Sequence, residues 1–250
     1  MKLRIFACLM VGLLLAGCST TPSNDKTNPK QAAEANAELG LQYMLNGHYE
    51  VSMDKLKTAL DYDSDNVNAN HYMAELYNRL DRSDEADKYY RRAVSLANDD
   101  PHLYNNYGVF LCSQKKYGKA EEFFLKALED PVYRGRTDTL ENIGICLLDK
   151  PDLKTGEEYL RKALEADPQR PKSLLAMARL NFTQGHYMST RAYLQRYLEV
   201  ARHTPETLWL GIRTERILGD KDALASYSLL LKNNFPNAEE TRLYLQSTKK

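Results

Sequence analysis

The sequence has no excess of either charge: 34 lysines and arginines stand against 34 aspartates and glutamates. That balance removes the basic footprint expected of a nucleic-acid binder or of a protein adhering to an anionic surface. Catalytic motifs are missing too. There is no His-Glu-x-x-His, Gly-x-Ser-x-Gly, Cys-x-x-Cys or phosphate-binding Gly-x-x-x-x-Gly-Lys-[Ser/Thr]. The five histidines (His48, His71, His102, His186 and His203) form no metal-ligand pattern. Two of them, His48 in "NGHYE" and His186 in "QGHYM", occupy what reads as one shared turn position. These absences exclude a recognisable enzyme, cofactor, metal site or small-molecule substrate, and leave a protein that works through other proteins.

No apolar run reaches the roughly 20 residues that a spanning helix requires. The longest, Ile5 to Leu15, follows Lys2 and Arg4 and gives way to "CSTTPSNDKTNPK". A charged head, a short apolar stretch and small residues at its exit describe a secretory signal peptide over residues 1–17. The exit reads Leu15-Ala16-Gly17-Cys18, a lipobox, in which the cysteine thiol takes a diacylglycerol and becomes the acylated first residue. Cys18 is therefore the expected lipidation site, and multiple acyl chains suffice for stable anchoring. Ser19 in place of Asp favours the outer membrane, by likeness to sorted lipoproteins. Residues 18–32 then read as a lipidated start and a flexible tether rich in Ser, Thr, Asn and Pro. Without Lys2 and Arg4, 32 basic residues face 34 acidic ones.

The remainder repeats itself. "NAELGLQYMLNGHYEVSMDKLKTALDYD", "LYNNYGVFLCSQKKYGKAEEFFLKALED" and "LENIGICLLDKPDLKTGEEYLRKALEAD" share a glycine after an apolar residue, a polar break and a closing Ala-Leu. Gly40, Ala74, Gly108, Gly144, Ala178 and Gly211 recur at steps of 33 to 36 residues. That period is the tetratricopeptide repeat, two antiparallel helices in about 34 residues. The predicted fold is all-α, a right-handed solenoid of six repeats at 33–66, 67–100, 101–134, 137–170, 171–203 and 204–237, with a cap at 238–250. Two extra residues at 135–136 should lengthen the turn between repeats three and four.

Such an array offers a partner its concave face, lined by positions 2, 5, 9, 12 and 13 of each first helix. Those positions hold Leu41, Met44 and Leu45 in repeat one, and His71, Glu75, Asn78 and Arg79 in repeat two. Repeat three supplies Asn105, Val109 and Cys112. The apolar strip Leu41, Met44, Leu45 is the expected partner groove, since uncovered apolar side chains mark interaction sites. A Lys/Arg/Asn clamp for a terminal carboxylate is not assembled in successive repeats. Beyond Cys18 only Cys112 and Cys146 remain. An oxidising compartment would let them pair, but the register puts them on different helix faces, which favours two small buried thiols.

"LYNNYGVFLCSQKKYGKAEEFFLKAL", "LENIGICLLDK" and "LGIRTERILGDKDALASYSLLLKNNFP" resemble the type IV pilus biogenesis lipoproteins of the PilF/PilW pilotin family. The resemblance covers nearly all of the chain after the leader. It implies an outer-membrane lipoprotein that binds the secretin subunit and promotes its localisation and multimerisation. Its partners would then be that subunit and, through Cys18, the outer-membrane lipid. A lipoprotein scaffold for another envelope assembly complex, or a regulator of a cell-wall enzyme, stays open beside it.

Overall fold

The computed structural model describes residues 28–149 and 153–248. The signal peptide, Cys18 and the first part of the tether lie outside the described residues, as do the last two residues of the cap.

Thirteen helices and no strands are present among the described residues. Six first helices, here A helices, are α1 (Pro29–Leu45), α3 (Val67–Arg79), α5 (Pro101–Ser113), α7 (Arg136–Leu148), α9 (Pro171–Thr183) and α11 (Pro205–Leu218). Their B partners are α2 (Tyr49–Tyr62), α4 (Ser83–Leu96), α6 (Tyr117–Glu129), α8 (Leu153–Ala166), α10 (Tyr187–Val200) and α12 (Lys221–Asn234). The short α13 (Glu239–Ser247) closes the array against α11 and α12. Each A helix packs on its own B helix, and A helices pack along the array, α1 on α3, α5 on α7, α7 on α9 and α9 on α11, with α3 and α5 joined by hydrogen bonds, so the chain is a solenoid of tetratricopeptide repeats.

Local sequence sets where the helices start. Proline, whose missing N–H is no loss in a first turn, opens α1, α5, α9 and α11. Asn28, Asn66, Asp100, Thr204 and Asp220 cap free amides with their side chains. The capped start at Asn28 corrects the expected tether: residues 29–32 are helical, and Ala32 is already buried. Between repeats three and four the connection runs from Asp130 to Gly135, longer than the four-residue connections such as Asp63–Asn66. Entry into the B helices needs left-handed backbone, supplied by Gly47, Asp81, Lys115, Gly185 and Gly219. His48 and His186 follow two of these turns and cap α2 and α10 with nearly the same backbone angles.

Packing within a repeat is small against large. A Cβ added to Gly40 would lie 2.6 Å from Leu56 Cγ, and one added to Gly108 would lie 2.7 Å from the Phe124 ring. Gly144 meets Leu160 in the same way, and Gly211 meets Tyr227. Ser52, Ala86, Ala120 and Thr190, with Ala59, Ala93, Ala127 and Ala163, complete the buried contact from the B side. Ser52 also donates to the Gly40 carbonyl at 2.7 Å.

Packing between repeats follows a second rule. The residue at position 12 of one A helix faces position 10 of the next. Met44 shares a core cluster with Leu76, Leu148 packs on the cluster of Leu180, and the Arg213 guanidinium lies 4.1 Å from the Phe182 ring. In repeats three and four that pair is Cys112 and Cys146, which form a disulfide with Cα atoms 5.8 Å apart. This corrects the expectation of two separate thiols. They do lie on different faces, but on neighbouring parallel helices equivalent faces point the same way, and only a leading face can meet a trailing one.

Two outcomes are expected. Gly108→Leu drives a side chain into Phe124 and should cost about 1–3 kcal/mol, with hydrogen exchange rising most in α5 and α6 and fading toward both ends. Uniform exchange along the chain would contradict the repeat-wise packing. Reducing the disulfide reopens a 34-residue separation and should lower stability by about 3 kcal/mol. Denaturant melts with and without reductant read this, the Cys112→Ala/Cys146→Ala chain serving as the reductant-insensitive control.

Candidate functional site

The A helices together build one side of the solenoid, and successive A helices are tied across it by polar rungs. Tyr72 Oη donates to Glu38 Oε1 at 3.1 Å, joining α1 to α3. Asn106 Nδ2 donates to Glu75 Oε1 at 3.2 Å, joining α3 to α5. Asn105 Oδ1 accepts from Asn142 Nδ2 at 3.0 Å and from Thr139 Oγ1 at 3.1 Å, joining α5 to α7. From α7, the buried Glu141 carboxylate takes four donors: Arg170 Nε and Nη2, and the backbone N and Oγ of Ser173. Arg179 and Glu206 join α9 to α11 at 2.8 Å.

A hollow of about 370 Å³ opens on this side, lined from four A helices. Glu75, Asn78 and Arg79 come from α3, Asn105, Asn106, Val109 and Phe110 from α5, Asn142 from α7 and Lys172 from α9. Tyr90 reaches its floor from α4. Burial pushes the Tyr90 phenol far above its usual range; Glu75 adds to the shift and Arg79 opposes it. The phenol therefore stays neutral.

The sequence had placed ten residues on the concave face, and the structure divides them: Glu75 and Arg79 line this hollow, and Cys112 is taken up by the disulfide. Asn78, Asn105 and Val109 come together in this hollow. His71 lies at its edge, almost buried, with Nε2 3.1 Å from Glu75 Oε1 and 3.2 Å from Asn106 Nδ2. The strip Leu41, Met44, Leu45 does not form. Met44 is fully buried with Leu56, Met73 and Leu76, and Leu41 is half-buried against that cluster. The reason is the one that pairs the cysteines: position 12 points along the array into the next A helix. Only Leu45, 59% exposed, stands free. Asn106, Asn142 and Lys172 were missed; the signal for the first two was asparagine recurring one residue beyond position 5 in repeats three and four.

The hollow can hold a peptide or another protein segment by hydrogen bonds and charge. Among the described residues no group of three His, Cys, Asp or Glu is placed to hold a metal ion, and no helix is long and apolar enough to cross a membrane.

The tetratricopeptide-repeat family pattern matches residues 67–100, 101–129 and 137–170. The chain is 30% identical over 244 residues to the type IV pilus assembly protein PilF of Pseudomonas aeruginosa, covering 96% of this chain and 97% of that one. The solved structure of that PilF superimposes with a TM-score of 0.78 over 88% of this chain and 99% of the other. That of PilW, described as a widely conserved type IV pilus biogenesis factor, superimposes at 0.81 over 86% and 99%, also at 30% identity.

The division of the apolar strip is directly measurable. Met44→Ala should cost about 2–5 kcal/mol by emptying a packed site, while Leu45→Asp at an exposed position should stay within about 0.5 kcal/mol. Thermal melts of the two variants decide; equal losses would place both residues in the core.

Proposed function

The chain belongs to the PilF/PilW family of type IV pilus biogenesis tetratricopeptide-repeat proteins, and we propose that it serves there as a lipid-anchored pilotin. In this reading Cys18 holds the protein to the inner leaflet of the outer membrane, and the A-helix side captures the secretin subunit. Capture on a membrane-bound adaptor raises the local concentration of subunits at the outer membrane, which favours their multimerisation into the ring. The observation that carries the reading is the match along almost the whole chain, including the segment before the first repeat, to a pilus assembly protein. Supporting it are the lipobox Leu15-Ala16-Gly17-Cys18 and a hollow whose polar groups span four successive A helices.

A non-catalytic scaffold suits this task. The repeat array is rigid because every A helix is tied to the next, and it needs no chemistry beyond binding. The tether need only be long enough for the solenoid to reach a subunit arriving beside the bilayer.

Cys18→Ala should move the protein from the outer-membrane fraction to the soluble periplasmic fraction. Secretin should then accumulate as monomers, and pilus-driven surface motility should fall. Outer-membrane retention of the variant would refute the anchor. Normal secretin multimers in a strain lacking the protein would refute the pilotin role.

A further inference from the structure

The last seam of the array is open along a groove of about 490 Å³ that shares no residue with the hollow. Its walls are α12, from Lys221 to Lys232, and Tyr244 of α13. Thr241 Oγ1 donates to the Phe235 carbonyl at 2.6 Å, and Arg216 Nη2 donates to Ser247 Oγ at 3.2 Å. These bonds fix α13 at its start to the end of α12 and at its end to α11, and the space beside α12 stays open. Every earlier A helix has a B helix lying against it; among the described residues none follows α13. Ser228, inside the groove, is only 5% exposed, and its hydroxyl has no hydrogen-bond partner. Buried hydroxyls are nearly always paired. On the same wall Leu229 is 54% exposed, and on α13 Leu245 is 46% exposed. Lys221, Tyr244 and Glu240 take part in no described hydrogen bond or ion pair of their side chains, although Glu239, next to Glu240, is held by Arg242.

We propose that a second copy of this chain covers the groove, the α13 of each copy lying antiparallel to that of the other. A two-fold contact joins one patch to itself, so a single chain must carry both halves of every interaction. This chain does. The groove presents an unpaired ammonium, a buried hydroxyl and an exposed leucine; α13 presents an unpaired carboxylate, an unpaired phenol and an exposed leucine. Their order along the helices also agrees. α13 runs back along α12 from the C-terminal end of α12, so an antiparallel partner brings its Glu240 to the Lys221 end. Four residues on, about 6 Å at the rise of an α-helix, the partner's Tyr244 follows. Ser228 lies about 10 Å beyond Lys221, within reach of that phenol. The partner's Leu245 then comes beside Leu229. Closure pairs the buried hydroxyl, joins opposite charges and takes two leucines per copy out of water. The surface of two short helices is at the low end for a specific interface, so association is weak in dilute solution. Confinement to one membrane by the proposed Cys18 anchor would raise the effective concentration. The contact itself does not depend on the pilotin reading, and it leaves the A-helix side uncovered.

Sedimentation equilibrium of the lipidated chain in density-matched detergent, over a concentration series, reads the contact. The unaltered chain should show a reversible equilibrium between monomer and dimer. Leu229→Asp should leave only monomer, because closure would bury an unpaired carboxylate. Ser228→Ala should weaken association about fivefold by removing one partner of the hydrogen bond. Lys221→Glu and Glu240→Lys should each weaken it about tenfold by setting like charges together. Mixed in equal amounts, these two charge-reversed proteins should associate as tightly as the unaltered chain, since both contacts of the mixed dimer again join opposite charges. A variant that had merely lost structure would not recover on mixing. Thermal melts at low concentration should be alike for all of them. A chain that is monomeric throughout the series overturns the inference, as does dimerisation that Leu229→Asp leaves intact or a mixture that fails to recover. A monomer that retains another purified envelope protein, and loses it on Leu229→Asp, gives the groove to that protein and likewise overturns the second copy.

Discussion

Close approach of the A and B helices within each repeat is the constraint on which the rest of the protein depends. A bulky side chain of the B helix, such as Leu56, Phe124, Leu160 or Tyr227, sits where a Cβ on the facing glycine would be. Interiors are packed too densely to absorb an extra methyl group without displacement, so the small residue fixes the interhelical distance. With that distance fixed, the turn must be tight, which explains left-handed backbone at Gly47, Asp81, Lys115 and Gly185. Each pair then presents the same pair of faces to its neighbours, and stacking follows.

Stacking is where the repeats cease to be equivalent. The seam between one A helix and the next has a single geometry, but the chain fills it with different chemistry: methionine against leucine, a disulfide, leucine against leucine, and arginine over phenylalanine. The disulfide lies at the junction with the longest connection, between Glu129 and Arg136. A covalent link there limits the separation of the two halves of the array, which is the motion that a longer loop would otherwise permit. The polar rungs do a related job on the open side. Glu141 with its four donors is the most enclosed of them, and a buried carboxylate without partners would be strongly destabilising.

The open side built this way is regular in outline and varied in detail. Helix periodicity places several side chains of an A helix along the open side, and the rungs engage only some of them. Repeat two contributes the Asn78 amide and the Arg79 guanidinium, repeat three the exposed Val109 and repeat five the Lys172 ammonium. The open side thus draws on the same helices that hold the array together, because the rungs that tie them also orient the groups beside them.

The sequence by itself determined the fold. Small residues at a 34-residue spacing can be satisfied by helix pairs and by little else, and the likeness to pilus biogenesis proteins was carried by local segments such as "LENIGICLLDK". The expected leader and lipobox likewise rest on a linear stretch alone, one that lies outside the described residues. Tertiary structure alone decided which side of each A helix is free. A periodic pattern gives the angle of a residue around its helix, but not which angle the next helix occupies. That is why Met44 was assigned to the open side and is buried, and why Cys112 and Cys146 were read as separated and are bonded. It also decided the make-up of the hollow: Asn78, Arg79 and Lys172 hold concave-side positions in repeats two and five, and they come together with Asn142 only because the A helices stack around one space. Proximity between repeats depends on how far each pair is rotated against the last, a quantity set by the summed packing of whole faces and carried by no single residue.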